Sequence, residues 1–114
     1  MGRRNKARHA PAGGDGGDTF YIGVSRIVVE MSGNEELKEK RSAVAKIKDR
    51  IRAKYNVSIA EVGPQDVMDS AVVGLSVVSN DKDYVQSLLG GIPDFIDEMG
   101  IGRVIAEDLV VEQY

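Results

Sequence analysis

The sequence predicts an α+β domain in the order strand, helix, strand, strand, helix, strand. Three observations carry that order. Residues 20–31, 57–62, 71–79 and 103–112 are rich in Val and Ile, and most of them read at the two-residue period of strands. Residues 37–55 and 85–99 instead place apolar residues at helical spacing. Between these segments Gly, Pro, Asn and Asp gather at 32–35, 63–66, 79–81 and 100–102, where the chain has to turn.

Size and composition bound the rest. At 114 residues with 42% hydrophobic content the chain suits one domain with a real core and is too short for two. No apolar stretch approaches the ~20 residues of a membrane span, so a membrane role is not expected. The expectation is a soluble, unexported, cytoplasmic protein. Cys is absent, which removes disulfides, thiolate nucleophiles and sulfur-ligated metals. His9 is the single His, so a Ser-His-Asp triad or a multi-His metal site has no material. No cofactor, no bound metal and no enzymatic activity are expected.

Residues 1–18 are Gly-rich and basic, with almost no large apolar side chain, and cannot bury enough surface to offset the entropy of ordering. They read as a flexible tail preceding a single domain at 19–114. The tail is either a solvated extension or a contact with RNA or another polyanion. Met1-Gly2 resembles a myristoylation start, but Lys6 stands where Ser or Thr is needed.

In the first strand the charged residues Arg26 and Glu30 share the even parity, so the odd face, with Tyr21, Gly23, Ile27, Val29 and Met31, is the better core face. Ser32 with Glu35 has capping-box spacing, and Asn34 is an alternative cap for the first helix. Leu37, Val44, Ile47, Ile51 and Tyr55 form its stripe, and Asn56 marks its stop. Residues 57–62 read as a short strand ended by Gly63-Pro64, and 65–70 as a polar connection or a single helical turn. The nearly unbroken apolar run at 71–79 predicts a strand covered on both faces. Ser79-Asn80-Asp81 supplies cap chemistry for the second helix, whose stripe is Val85, Leu88, Leu89, Ile92, Ile96 and Met99. Pro93 inside that stripe costs ~3 kcal/mol, which with Gly90 and Gly91 predicts a kink or two short helices. Gly100 and Gly102 end the helix before the last strand.

Two consecutive split β-α-β units of this length give a ferredoxin-like βαββαβ sandwich, a four-stranded antiparallel sheet with two helices on one face. A swapped or rearranged α+β domain is the alternative. One sheet face then lacks helix cover, and Phe20, Ile22, Val24 and Val28 make it partly apolar, which suggests dimerisation through it.

Charge is unevenly distributed beneath a net value of −3. Residues 35–54 hold Lys38, Lys40, Arg41, Lys46, Lys48, Arg50, Arg52 and Lys54 against Glu35, Glu36, Glu39 and Asp49, while the remainder of the domain is strongly acidic. A dipolar surface of this kind steers an anionic partner to one face or lets two copies pair. The run Leu37-Lys38-Glu39-Lys40-Arg41-Ser42 also sets three cations near a helix N-terminus, whose own partial charge is positive, so a compensating carboxylate or phosphate is expected there.

That run, together with Asn56-Val57-Ser58-Ile59-Ala60-Glu61-Val62, Gln65-Asp66 and Val78-Ser79-Asn80-Asp81, resembles the signature of the YlxP-like family, domain of unknown function 503. The resemblance runs from about residue 21 to about residue 111. It implies a ferredoxin-like fold and a bacterial protein encoded beside translation and ribosome-maturation genes, with no established activity. Local departures are Glu36 where the family often has Ser, Gly90-Gly91-Ile92-Pro93 in place of what is usually an unbroken helical segment, and the tail.

The site expected from these residues is an anion- or RNA-binding group of Lys38, Lys40, Arg41 and Lys48, with Glu61, Gln65, Asp66 and Asn80 as associated polar residues. Lys40, Arg41 and Lys48 fall at the edge of the helix stripe, where long side chains lay stems on apolar neighbours, and Lys38, Lys46, Arg50 and Arg52 face out as a solvated face. Their ordinary alternative is an ion pair with Glu61, Asp66 or an acid of the second helix. Ser79, Asn80 and Asp81 read first as a cap, and the pairs Asp81/Asp83 and Asp94/Asp97 are a weak signal for a divalent cation. The expected function is a non-enzymatic module linked to translation or ribosome maturation that contacts RNA or the ribosome through phosphates. The alternative is a protein-interaction or homo-oligomeric module whose basic helix pairs with acidic surfaces. Phe20, Tyr21 and Tyr114 are too few for base stacking across the sheet.

Overall fold

The core begins on the odd residues of the first strand, as their alternation requires. The computed structural model describes residues 17–114, so nearly all of the expected tail, His9 included, lies outside the described residues. Along β1 (Tyr21–Glu30) Gly23, Ser25, Ile27 and Val29 are buried, and Val24 and Arg26 are exposed. The chain then passes through α1 (Leu37–Lys54), β2 (Ser58–Glu61), β3 (Ser70–Ser79), α2 (Lys82–Met99) and β4 (Arg103–Gln113). The sheet order is β2-β3-β1-β4 with all neighbours antiparallel, which is the ferredoxin-like βαββαβ arrangement.

Both helices cover the odd face. Val44, Ile47 and Ile51 of α1 and Val85, Leu88, Leu89, Ile92 and Ile96 of α2 close over Ile27, Val29, Ile59, Val73, Leu75 and Val77. Gly23 lets α2 approach the sheet closely: a Cβ there would collide with the Val85 and Leu89 side chains. At the far end of the helices Tyr55 meets Phe95 edge to face, ring centroids 5.4 Å apart, and Lys54 Nζ lies 4.6 Å from the Phe95 ring centre.

Three expectations need correction, and β4 adds an irregularity of its own. The cap of α1 is Glu36, neither Ser32 nor Asn34; the Glu39 carboxylate reaches back to accept from the Glu35 and Glu36 amides at 2.7 and 3.1 Å. Strand β3 is buried on one face only: its even residues Val72, Gly74 and Ser76 are half-buried and Val78 is exposed. Its unbroken apolar run arises because the open face is itself apolar. Helix α2 runs as one element through Pro93, not as two short helices, and Pro93 is buried in the core stripe, so packing of that stripe outweighs the missing donor. In β4 the pairing steps from Ala106 to Val104 opposite Val28 and Val29, leaving Ile105 as the extra residue of a bulge.

The even face of the sheet carries rows set by the register. Ile22, Val78 and Glu112 form one row; Val24, Ser76 and Val110 the next; then Arg26, Gly74 and Asp108; then Val28, Val72 and Ala106. At one end Phe20 and Tyr114 stack on each other with centroids 5.7 Å apart.

Candidate functional site

Helix α1 divides its cations between two fates, and burial decides which. Lys40 precedes Val44, Ile47 and Ile51 at spacings of four, three and four, so its Cβ points at the core. Its side chain is 0% exposed. Desolvating an ammonium is costly unless it is paired, and Lys40 Nζ donates to Glu61 Oε2 at 3.2 Å and to the Gln65 carbonyl at 3.4 Å. Glu61 arrives at that spot because it shares the core-facing parity of Ile59 on β2, and Gln65 because the chain turns after Gly63-Pro64. The Lys40 ammonium therefore ties α1 to the β2–β3 connection.

The remaining cations stay outside. Lys38, Arg41, Lys46 and Arg50 are exposed and Lys48 is half-buried. None of these five makes a side-chain hydrogen bond or ion pair with the described residues. Arg41 thus stands in solvent and does not join Lys40 in its buried pair. Arg52, expected only to face out, donates to the Ile59 carbonyl at 3.0 Å and lies 3.7 Å from Asp49. Asp66 and Asn80 are exposed and lie apart from the Lys40 pair without bonds of their own; Asn80 separates Ser79, whose hydroxyl accepts from the Asp81 amide, from Asp81, whose carboxylate accepts from the Tyr84 amide. The expected group is thus split: Lys40, Glu61 and Gln65 meet, Lys38, Arg41 and Lys48 present charge outward, and Asp66 and Asn80 join neither set.

Sequence reading missed the two functions of Glu39 and Arg52. The signal for Glu39 was present, an acid three residues inside a cap; for Arg52, whose acceptor is a main-chain carbonyl, no side-chain pattern exists. The described residues hold no cluster of three or more His, Cys, Asp or Glu side chains, and none of their helices is long and apolar enough to cross a membrane.

Acidic residues occupy the opposite half. Asp83, Asp94, Asp97 and Glu98 lie on α2 and Glu107, Asp108 and Glu112 on β4, two elements whose own cations are Lys82 and Arg103. Arg103 is paired with Glu30 at 3.0 Å.

Among solved structures, the designed protein Foldit4 matches with 14% identity and a TM-score of 0.44 over 83% of this chain and 96% of that one. The cofactor-independent oxygenase SnoaB from Streptomyces nogalater matches with 17% identity and a TM-score of 0.43 over 80% of this chain and 90% of its own. Likenesses this distant carry nothing about activity. The uncharacterized protein YlxP of Bacillus subtilis (strain 168) is 38% identical over 61 residues, which span 54% of this chain and 66% of that relative, just under two thirds of its length. The family model described as "Protein of unknown function (DUF503)" matches residues 22–108, a stretch that takes in the α1 cations, the Lys40 pair and the greater part of all four strands. The chain belongs to the DUF503 family of proteins of unknown function.

Proposed function

We propose that this chain is a non-catalytic binding module that contacts RNA phosphates through the outer face of α1, in the setting of translation or ribosome maturation. The observation that carries the reading is the set of cations Lys38, Arg41, Lys46, Lys48 and Arg50 left without acids of their own, on the half of the domain away from the α2 and β4 carboxylates. Cations gathered on one helix match the spaced charges of a nucleic-acid backbone and need no base-specific contact. Phe20 and Tyr114 are engaged with each other, which leaves phosphate contact rather than stacking as the mode.

The test is a titration at low salt of a structured RNA hairpin and of small ribosomal subunits. Binding should weaken steeply as salt rises, with each lost phosphate contact lowering the salt slope by about one. The triple variant K38E/R41E/K46E should bind at least about tenfold more weakly, a loss of ~1.4 kcal/mol, while keeping its fold because all three side chains are exposed. Absence of binding at low salt, or indifference to the triple reversal, overturns the proposal. A complex with an acidic protein that survives nuclease treatment and is lost in the triple variant would assign the same helix to a protein partner instead.

A further inference from the structure

We infer that the helix-free face of the sheet is the interface of a two-fold symmetric dimer, held in register by Arg26 and Asp108. This goes beyond the reading of α1 and is independent of it, since the face lies on the other side of the molecule. Val24, Val78 and Val110 are 53, 61 and 56% exposed there, with Ile22, Val28 and Val72 half-buried beside them. A contiguous apolar surface of this kind on a sheet marks a contact site. The occupant is identified by the charges within it.

Arg26 and Asp108 are direct cross-strand partners on β1 and β4, both exposed, in the row between Val24/Val110 and Val28/Ala106. No hydrogen bond or ion pair joins them, although opposite charges at paired positions are well placed to interact. The two charges are equal, opposite and adjacent, so the face is complementary to itself. A two-fold axis parallel to the strands and midway between β1 and β4 sets each Arg26 against the second copy's Asp108. It also lays the Val24/Val110 row on itself. A two-fold axis across the strands through the same row would oppose Arg26 to Arg26 and Asp108 to Asp108, and is excluded by repulsion. Of the two-fold axes through the charged row, the one along the strands therefore makes the favourable pairs, and it keeps the strands of the two sheets aligned as in other packed sheets.

Area sets the strength. About that axis β1 and β4 of each copy cover β4 and β1 of the other, about 10 by 33 Å at ordinary strand spacing and rise, or about 300 Å² on each copy. The total of about 600 Å² is below that of a stable specific interface, so the dimer should be weak and form only at high concentration.

The experiment is sedimentation equilibrium of the full chain from low micromolar to millimolar concentration, with circular dichroism to verify folding. The wild type should pass from monomer to dimer. R26D and D108R, each carrying two like charges in the row, should be monomeric when separate and should dimerise when mixed in equal amounts. The double variant R26D/D108R should dimerise as the wild type does. A wild type that remains monomeric at millimolar concentration overturns the proposal. So does a wild-type dimer unaffected by the single reversals, or single variants that stay monomeric when mixed.

Discussion

At the level of the single residue, Lys40 is the side chain whose environment departs most from its chemistry. It occupies a position that helical spacing assigns to an apolar residue, and the sequence placed it only at the stripe edge. The reason is that Leu37 and Tyr55 drew the inferred stripe to one side, whereas the buried line runs through Val44, Ile47 and Ile51, directly beneath Lys40. A lysine in such a line cannot be told from a solvated one until its acid is known, and Glu61 is 21 residues away. Breaking a buried pair on one side strands the other charge, so Glu61→Ala should cost about 3–5 kcal/mol in urea unfolding. The double variant K40M/E61L, which removes both charges at similar volume, should recover most of that loss. A single-variant loss below about 1 kcal/mol would show that water relaxes Lys40 and that the pair is dispensable.

At the level of the element, the sequence resolved type and order well because each segment kept its own period. The odd core face of β1, the stripe of α2 and the end of α2 at Gly100, whose φ of 73° suits glycine, all follow from local rules. What local rules could not weigh was tertiary packing: Pro93 is held in a continuous helix by buried neighbours on both sides, and the open-face valines of β3 made a one-sided strand look two-sided. Gly90 and Gly91 provide the complementary case. Both are exposed, and a Cβ at either would meet no atom within 4 Å, so neither glycine is required by a close approach. Gly90→Ala and Gly91→Ala should each stabilise the protein by about 0.5–1 kcal/mol, chiefly by restricting the unfolded chain. The measurement is the urea midpoint at unchanged slope; a drop in the midpoint would mean that α2 needs flexibility just before Ile92.

Across the whole molecule the charges are sorted by topology. The chain order places α1 over the β2 side and α2 with β4 on the other, so a basic helix and an acidic helix-strand pair end on opposite flanks of one sheet. The run at residues 37–42 made the basic flank legible, but separating its inward lysine from its outward ones required the fold. Titration of the labelled protein with a short RNA duplex at low salt should shift backbone resonances of residues 38–50 and leave α2 and β4 unchanged. Shifts concentrated on α2 or β4 would contradict electrostatic attraction to α1. The bulge at Ile105 bears on how copies can assemble. β4 is the long edge of the sheet, an extended strand open to pairing with another chain, and its register break at mid-length, with Glu107 and Glu112 along it, interrupts any continuous strand-to-strand addition. Growth edge to edge would have no natural end, whereas a self-complementary face is used up once two copies meet. An irregularity of a single residue thereby works against the open ribbons from which aggregates grow.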